Sequence, residues 1–385
     1  MINQLAVAGY RSLRDISVRP GRLTIVTGPN GSGKSSFYRS LRLMNDIAHG
    51  GIIRSLAAEG GLPSTLWAGP ESFARSVKTG EHAVEGLLRR KSVALKLGFC
   101  CEDYGYAIDL GLPIPDASKF VGDPVIKLET LWMGEQLGRA NVLAERRGPS
   151  VRLRDKEGSW AQAHTTLAPY DSMMTHCADS REGLELLLIR ERMRGWRFYD
   201  NLRTDAEAPA RRPQVGTRTP ALAGDGSDLA AAIETIREIG DASSLEGAID
   251  VGFPGCTIDV VVTGTHFELE MRQPGLLRPL KTTELSEGTL KFLLLVAALL
   301  SPRPPSLMIL NEPETSLHSD LVPALAQIIG KASVNSQIIV VSHSEPLTEN
   351  LRYNFACHEI RLRKELGETG IESDADPAHW IWPKR

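Results

Sequence analysis

The chain carries no excess of positive charge: 44 lysines and arginines stand against 47 aspartates and glutamates, a formal net charge of -3. That excludes a global basic field, so any nucleic-acid contact has to come from a local patch. Cysteine is scarce. The five residues (Cys100, Cys101, Cys177, Cys256 and Cys357) are odd in number and form no CxxC pair, which argues against a disulfide framework or zinc site and for reduced, buried thiols. Long apolar runs are missing as well. The longest, FLLLVAALL at 292–300, is about half of what a bilayer span needs. The opening MINQLAVAGYRSLRD lacks a basic stretch followed by an apolar one, so no secretory signal is expected and the chain reads as soluble and cytoplasmic. No repeat of solenoid length and no sustained heptad occurs, which rules out long coiled-coil arms.

What is present suffices for a large core. At 385 residues and 42% hydrophobic, one large or two modest domains are expected. The start alternates like strands (INQLAVAGY, DISV, LTIVTG), and KSSFYRSLRLMNDIAHGG then carries apolar residues at helical spacing. Residues 50–90 read as short helices and loops. From 91 to 154 strands return, and REGLELLLIRERMRGW is an amphipathic helix. The proline- and arginine-rich 204–220 reads as a loop. DGSDLAAAIETIREIG follows as a helix capped by Ser227 or Asp225, and CTIDVVVTGTHFELEMRQ as a hairpin.

Four stretches carry chemistry. Residues 28–35, GPNGSGKS, match G-x-x-x-x-G-K-[ST] between an apolar strand and a helix. Gly28, Asn30, Gly31, Ser32 and Gly33 let successive backbone N–H groups face one anion, and the helix N-terminus, with Ser36 in its first turn, adds its dipole. Lys34 reaches β- and γ-phosphates in this pattern, and Ser35 ligates Mg²⁺. The bland alternative is a glycine-rich turn with an exposed lysine. The second stretch, SLMILNEPETSLH, is an apolar strand ending in acid, which suits a water-activating carboxylate at Glu312. Without a phosphate loop elsewhere, Glu312 and Glu314 would read as solvated residues of a proline turn. The third, QIIVVSHS, ends at His343, placed to hydrogen-bond a γ-phosphate or water, although a lone histidine is more often structural. The fourth, ELSEGTL, precedes an apolar helix; Ser286 is a natural N-cap, and Glu287 suits the helix dipole.

The order of these stretches resembles the ATPase heads of the ABC superfamily, with ELSEGT at 284–289 similar to their LSGGQ signature except at Glu287 and Thr289. VAGYRSLRDISV before the phosphate loop narrows the resemblance to the RecF, SMC and OLD branch. LNEPETSLHSDLVPALAQII with QIIVVSHSEPL is similar to compact bacterial RecF-like AAA-type ATPases. The fold implied is α/β, a P-loop NTPase of ABC type with an inserted mixed α+β lobe and no long coiled coil. The corresponding segments are 1–50 and 251–385 for the two halves of the head, and 51–250 for the insertion. The resemblance further implies ATP and Mg²⁺ as cofactors and a head-to-head, ATP-dependent homodimer. In it Ser286 and Gly288 cap the γ-phosphate held by the partner copy, and Arg11 joins the nucleotide contacts. Asn311 stands where the family has an acid, so weaker Mg²⁺ binding is expected. Gln136 is a candidate for the family's Q-loop glutamine, with a solvated helix residue as its bland alternative.

Basic residues gather in the middle at Arg89, Arg90 and Lys91, Arg146, Arg147, Arg152 and Arg154, Arg190, Arg192, Arg194 and Arg197, and Arg211 and Arg212. Their clustering makes the insertion the expected place for phosphate-backbone contacts. Two functions follow from the resemblance: an ATP-hydrolysing switch acting on DNA in repair or phage defence, or a regulatory ATPase controlling a partner nuclease or toxin. No membrane association is expected.

Overall fold

The computed structural model describes residues 1–70, 93–114, 118–200, 202–372 and 379–385. The strands are β1 (Ile2–Tyr10), β2 (Leu13–Val18), β3 (Leu23–Thr27), β4 (Leu95–Cys101), β5 (Tyr104–Gly111), β6 (Val125–Met133), β7 (Val142–Arg147), β8 (Ser150–Arg154) and β9 (Trp160–His164). They continue with β10 (Arg197–Tyr199), β11 (Gln214–Val215), β12 (Thr257–Thr263), β13 (His266–Arg272), β14 (Leu280–Lys281), β15 (Leu307–Asn311), β16 (Gln337–Val341), β17 (His358–Glu365) and β18 (Glu368–Glu372). Contacts divide the chain into one unit of 1–20, 27–195 and 360–385 and another of 21–26 and 196–359.

The first unit is built on an antiparallel sheet ordered β2-β1-β4-β5-β6-β7-β8-β9. The opening strands therefore belong to this sheet and not to a parallel layer, because the tight turn at Arg11-Ser12 folds β2 back on β1, with Tyr10 opposite Leu13. The helix Lys34–Ala48 buries Phe37, Leu41, Met44 and Ile47 on one face, and its Asn45 amide donates to Met193 O at the end of the helix Leu184–Arg194. Inside this unit Glu129 and Arg146 form an ion pair whose side chains are both fully buried. Tyr106 and Ser172 hydroxyls and the Met173 N–H donate to the carboxylate, and Arg146 also donates to the carbonyls of Gly148, Ala168 and Asp171. With every group satisfied the pair is tolerated; removing one partner would cost about 3–5 kcal/mol.

Residues 379–385 lie against the same sheet. The Trp380 ring lies 5.7 Å from those of both Trp132 and Trp382, tilted steeply to each, and Arg385 makes two hydrogen bonds to Asp109. Gly98 makes room, since a Cβ there would come within 2.6 Å of the Trp380 ring.

The second unit holds the parallel strands β10, β15, β16 and β3 in that order. Their near-continuous burial explains why they read as apolar runs instead of alternating ones. The helix Glu287–Leu299 is buried from Leu290 to Leu299, so the longest apolar run of the sequence is a core helix. Helices Leu229–Ile239 and Val322–Ala332 contribute to the same core, as does Ala242–Gly252, a helix that sequence periodicity missed because polar and small residues interrupt it. The helix Leu229–Ile239 starts at Asp228 without a side-chain cap; Asp228 instead accepts from Ala223 N, and neither Ser227 nor Asp225 is its cap. Among the described residues no helix exceeds the fifteen residues of Lys34–Ala48, and none is long and apolar enough to cross a membrane.

Candidate functional site

The glycine-rich loop follows β3 in the first unit. Gly28, Gly31 and Gly33 have φ of 143°, 78° and 108°, a region other residues enter at a cost. The helix Lys34–Ala48 begins at Gly33 with no side-chain cap, and a helix N-terminus presents N–H groups and the positive end of its dipole to an anion. Lys34 is buried and folds back, with Nζ donating to Gly28 O at 2.6 Å and Pro29 O at 3.2 Å. Ser32 Oγ is buried with no hydrogen-bond partner. Asn30 and Ser35 are exposed and Ser36 half-exposed. An uncapped helix start, an unsatisfied hydroxyl and an ammonium resting on its own loop fit a phosphate group.

The acidic strand end lies in the second unit. Glu312 has φ of 48°, and its N–H is anchored on Val341 O at 2.8 Å. Asn311 ends β15, half-buried. His343 Nδ1 is 3.3 Å from Glu312 Oε1 and 4.0 Å from Glu314 Oε1. The sequence did not single out Ser342, yet its hydroxyl donates to Glu314 Oε1 at 2.6 Å. Glu314 Oε2 is buried without a partner. Lys291, on the helix Glu287–Leu299, is buried, and burial holds its pKa below the usual lysine range against the opposing pull of Asp200 and Glu314. A lysine inside an apolar run was the available sequence signal.

Ser286 is the N-cap of that helix. Its oxygen accepts from Thr289 N at 3.1 Å and lies 2.8 Å from Thr289 Oγ1, so the threonine that departs from the signature pattern closes the cap. A Cβ on Gly288 would come within 2.9 Å of Ser316 O, which seats the helix start against the turn that follows β15.

Other expected residues lie elsewhere or are engaged. Arg11, with φ of 50°, is paired with Glu59 at 2.6 Å, and Glu59 also accepts from Tyr10 OH. Gln136 is exposed in the bend after β6, not on a helix. Arg146 is buried, as above. Arg211 is buried too and donates to the carbonyls of Thr204, Asp205, Thr282 and Leu285. Neither can touch a nucleic acid; both satisfy backbone carbonyls that water cannot reach. Arg147 and Arg152 share Glu145, Arg192 pairs with Asp103, and Arg212 with Glu207. Arg89, Arg90 and Lys91 lie outside the described residues.

Residues 23–348 match the family model described as "AAA domain, putative AbiEii toxin, Type IV TA system". No curated protein matches the sequence. Among solved structures, the SMC head bound to the C-winged helix domain of ScpA is similar with a TM-score of 0.52 and 13% identity, over 96% of this chain and 97% of that one. The SMC head domain with an extended coiled coil bound to the C-terminal domain of ScpA, derived from Pyrococcus furiosus, gives 0.49 and 13%, over 96% and 95%. The first likeness shows the fold, an ABC-type head of the SMC kind. With most of its length inside the family model, the chain belongs to this AAA-domain family, and its fold is that of an SMC head.

Proposed function

We propose that the chain is an ATP-binding and ATP-hydrolysing switch that pairs with a second copy around ATP. The observation that carries this reading is the loop at 28–35: an uncapped helix N-terminus, an inward-folded Lys34 and an unsatisfied Ser32 hydroxyl await an anion. Lys34 would leave the Gly28 and Pro29 carbonyls for the β- and γ-phosphates, and Ser35 with Asn311 would hold Mg²⁺, the amide more weakly than a carboxylate. ATP supplies an electrophilic γ-phosphoryl group whose charge Mg²⁺ offsets. Glu312 would hold the attacking water and accept its proton at a carboxylate oxygen, with His343 fixing that carboxylate through Nδ1. Arg11, held by Glu59, is proposed to reach nucleotide only after leaving that pair. The segments 1–50 and 251–385 as the halves of the head, with 51–250 inserted, remain part of this proposal, as does a cytoplasmic location.

The output of the switch has two readings. Control of a partner nuclease or toxin is favoured by the family description and by the engagement of many arginines in ion pairs and buried bonds. Action on DNA, in repair or phage defence, is supported by Trp160 on β9, whose ring lies 4.4 Å from the Arg152 guanidinium and 4.6 Å from that of Arg154. Such a basic aromatic patch suits stacking against bases. A DNA titration that weakens steeply with salt selects the second reading; no binding, with a nuclease or toxin recovered from the native host, selects the first.

Ser286→Asp tests the pairing. Asp caps a helix as well as Ser, so melting temperature and ATP affinity of the single chain should hold. In the dimer the new carboxylate would face a phosphate. Like charges at about 4 Å are worth on the order of 4 kcal/mol at an effective dielectric near 20, so ATP-driven pairing and turnover should collapse. Normal light scattering and turnover would leave ELSEGTL a helix cap only.

A further inference from the structure

The phosphate loop is held from outside by a residue that no motif contains. Thr369, on β18 and only 1% exposed, has its Oγ1 2.8 Å from Ser32 O and 2.8 Å from Ser12 Oγ. Its backbone N–H donates to Ser12 O at 2.8 Å. A carbonyl can only accept, so the Thr369 hydroxyl donates to Ser32 O, with Ser12 Oγ as a second acceptor within reach of the same proton. Thr369 thereby ties the β1–β2 turn, through its N–H, to the loop, through its hydroxyl. Ser12 and Thr369 both lie outside the 23–348 matched by the family model.

The bond to Ser32 O also orients the next amide. In a trans peptide the C=O and the next N–H point in opposite directions. Fixing Ser32 O on the hairpin therefore turns the Gly33 N–H away from it. The glycines permit the approach: a Cβ on Gly33 would lie 2.2 Å from Thr369 Oγ1, and one on Gly28 would lie 2.2 Å from Leu362 O on β17. Both strands of the β17–β18 hairpin thus press on the loop at its two glycines of largest φ.

We infer that Thr369 is a positioning residue for phosphate binding: its hydroxyl, supported by Ser12, sets the Ser32–Gly33 peptide so that the Gly33 N–H is presented to the anion. The inference rests on the reading of residues 28–35 as a nucleotide site. It makes the β17–β18 hairpin part of the binding apparatus, although it contributes no group to the ligand.

The test uses the full chain, with ATP affinity from calorimetry and amide exchange across 28–35 measured without nucleotide. Thr369→Val keeps the branched shape and loses the hydroxyl; ATP affinity should fall about tenfold, the scale of one lost hydrogen bond, and exchange at Gly33 should quicken. Thr369→Ser should restore both. A Thr369→Val protein with wild-type affinity and loop exchange overturns the inference, even if its melting temperature falls. Should that variant not fold, Thr369→Ala decides: affinity reduced about tenfold supports the role of the hydroxyl, as the loss of one bond, and unchanged affinity overturns it. Lys34→Ala run in parallel separates the two levels. Wild-type affinity in Lys34→Ala removes the nucleotide reading and this inference with it. Loss in Lys34→Ala alone, with Thr369→Val unaffected, removes only the role of Thr369.

Discussion

The loop after β3 and the loop after β15 both leave the carboxyl end of a parallel strand, and they are built by opposite means. The first places positive φ at glycines and offers backbone N–H groups, with Lys34 as its main charged contribution. The second places positive φ at Glu312 and Ser316, residues with side chains, which costs roughly 1–2 kcal/mol for each. That strain is held by surrounding bonds: Glu312 N on Val341 O, Thr315 N on Glu312 O and Leu317 N on Glu314 O. A backbone-made site can be relaxed, since glycine adopts its shape freely. A side-chain-made site must aim one carboxylate, and here the aim is fixed by bending the chain where it would not bend unaided.

The comparison predicts a division of effects. Glu312→Gln retains the strained backbone and its anchor but loses the proposed base, so ATP affinity should hold while turnover drops about 10²–10⁴-fold, the usual contribution of a positioned base. Single-turnover kinetics beside calorimetry checks this, and a parallel loss of affinity would break the division. Lys34→Ala should act the other way, weakening ATP by about 10–100-fold, as expected for losing a charge-assisted contact worth roughly 1.5–3 kcal/mol. Full affinity in that variant would remove the reading of residues 28–35 as a nucleotide site. The smallest effect concerns the glycine that seats the signature helix. Gly288→Ala sets a Cβ 2.9 Å from Ser316 O, and overpacking of this kind costs about 1–3 kcal/mol. Thermal melts should show that loss, and a neutral result would mean that the turn after β15 gives way freely.

The same contrast explains what could be read in advance. Glycine spacing announces a backbone site, so residues 28–35 stood out in the sequence, and they lie in a loop between strand and helix with positive φ at three glycines. Glu312, His343 and Ser286 could be placed through the order of their motifs, because strand ends and helix caps are local features. Buried polar partnerships were invisible. Arg146 and Arg211 look like surface charges in a basic stretch, yet both are interior groups, because their partners are carbonyls and carboxylates remote in sequence. The placement of β1 and β2 in the antiparallel sheet was equally hidden, since alternation reveals a strand but not its neighbours. Thr369 left no trace at all: its bonds reach Ser12 and Ser32 from the far end of the chain.

The clustered tryptophans give this molecule an optical handle on one of its surfaces. Trp380 sits close enough to Trp132 and to Trp382 for their excited states to exchange energy, and their emission depends on how well water is kept away. Any event that lifts residues 379–385 from the sheet would separate the rings, wet them and shift the intrinsic fluorescence to the red. Replacing Arg385 by Ala, which removes the two bonds to Asp109, would calibrate that signal, so that ligands and partners could be screened for movement of this segment without attaching a dye.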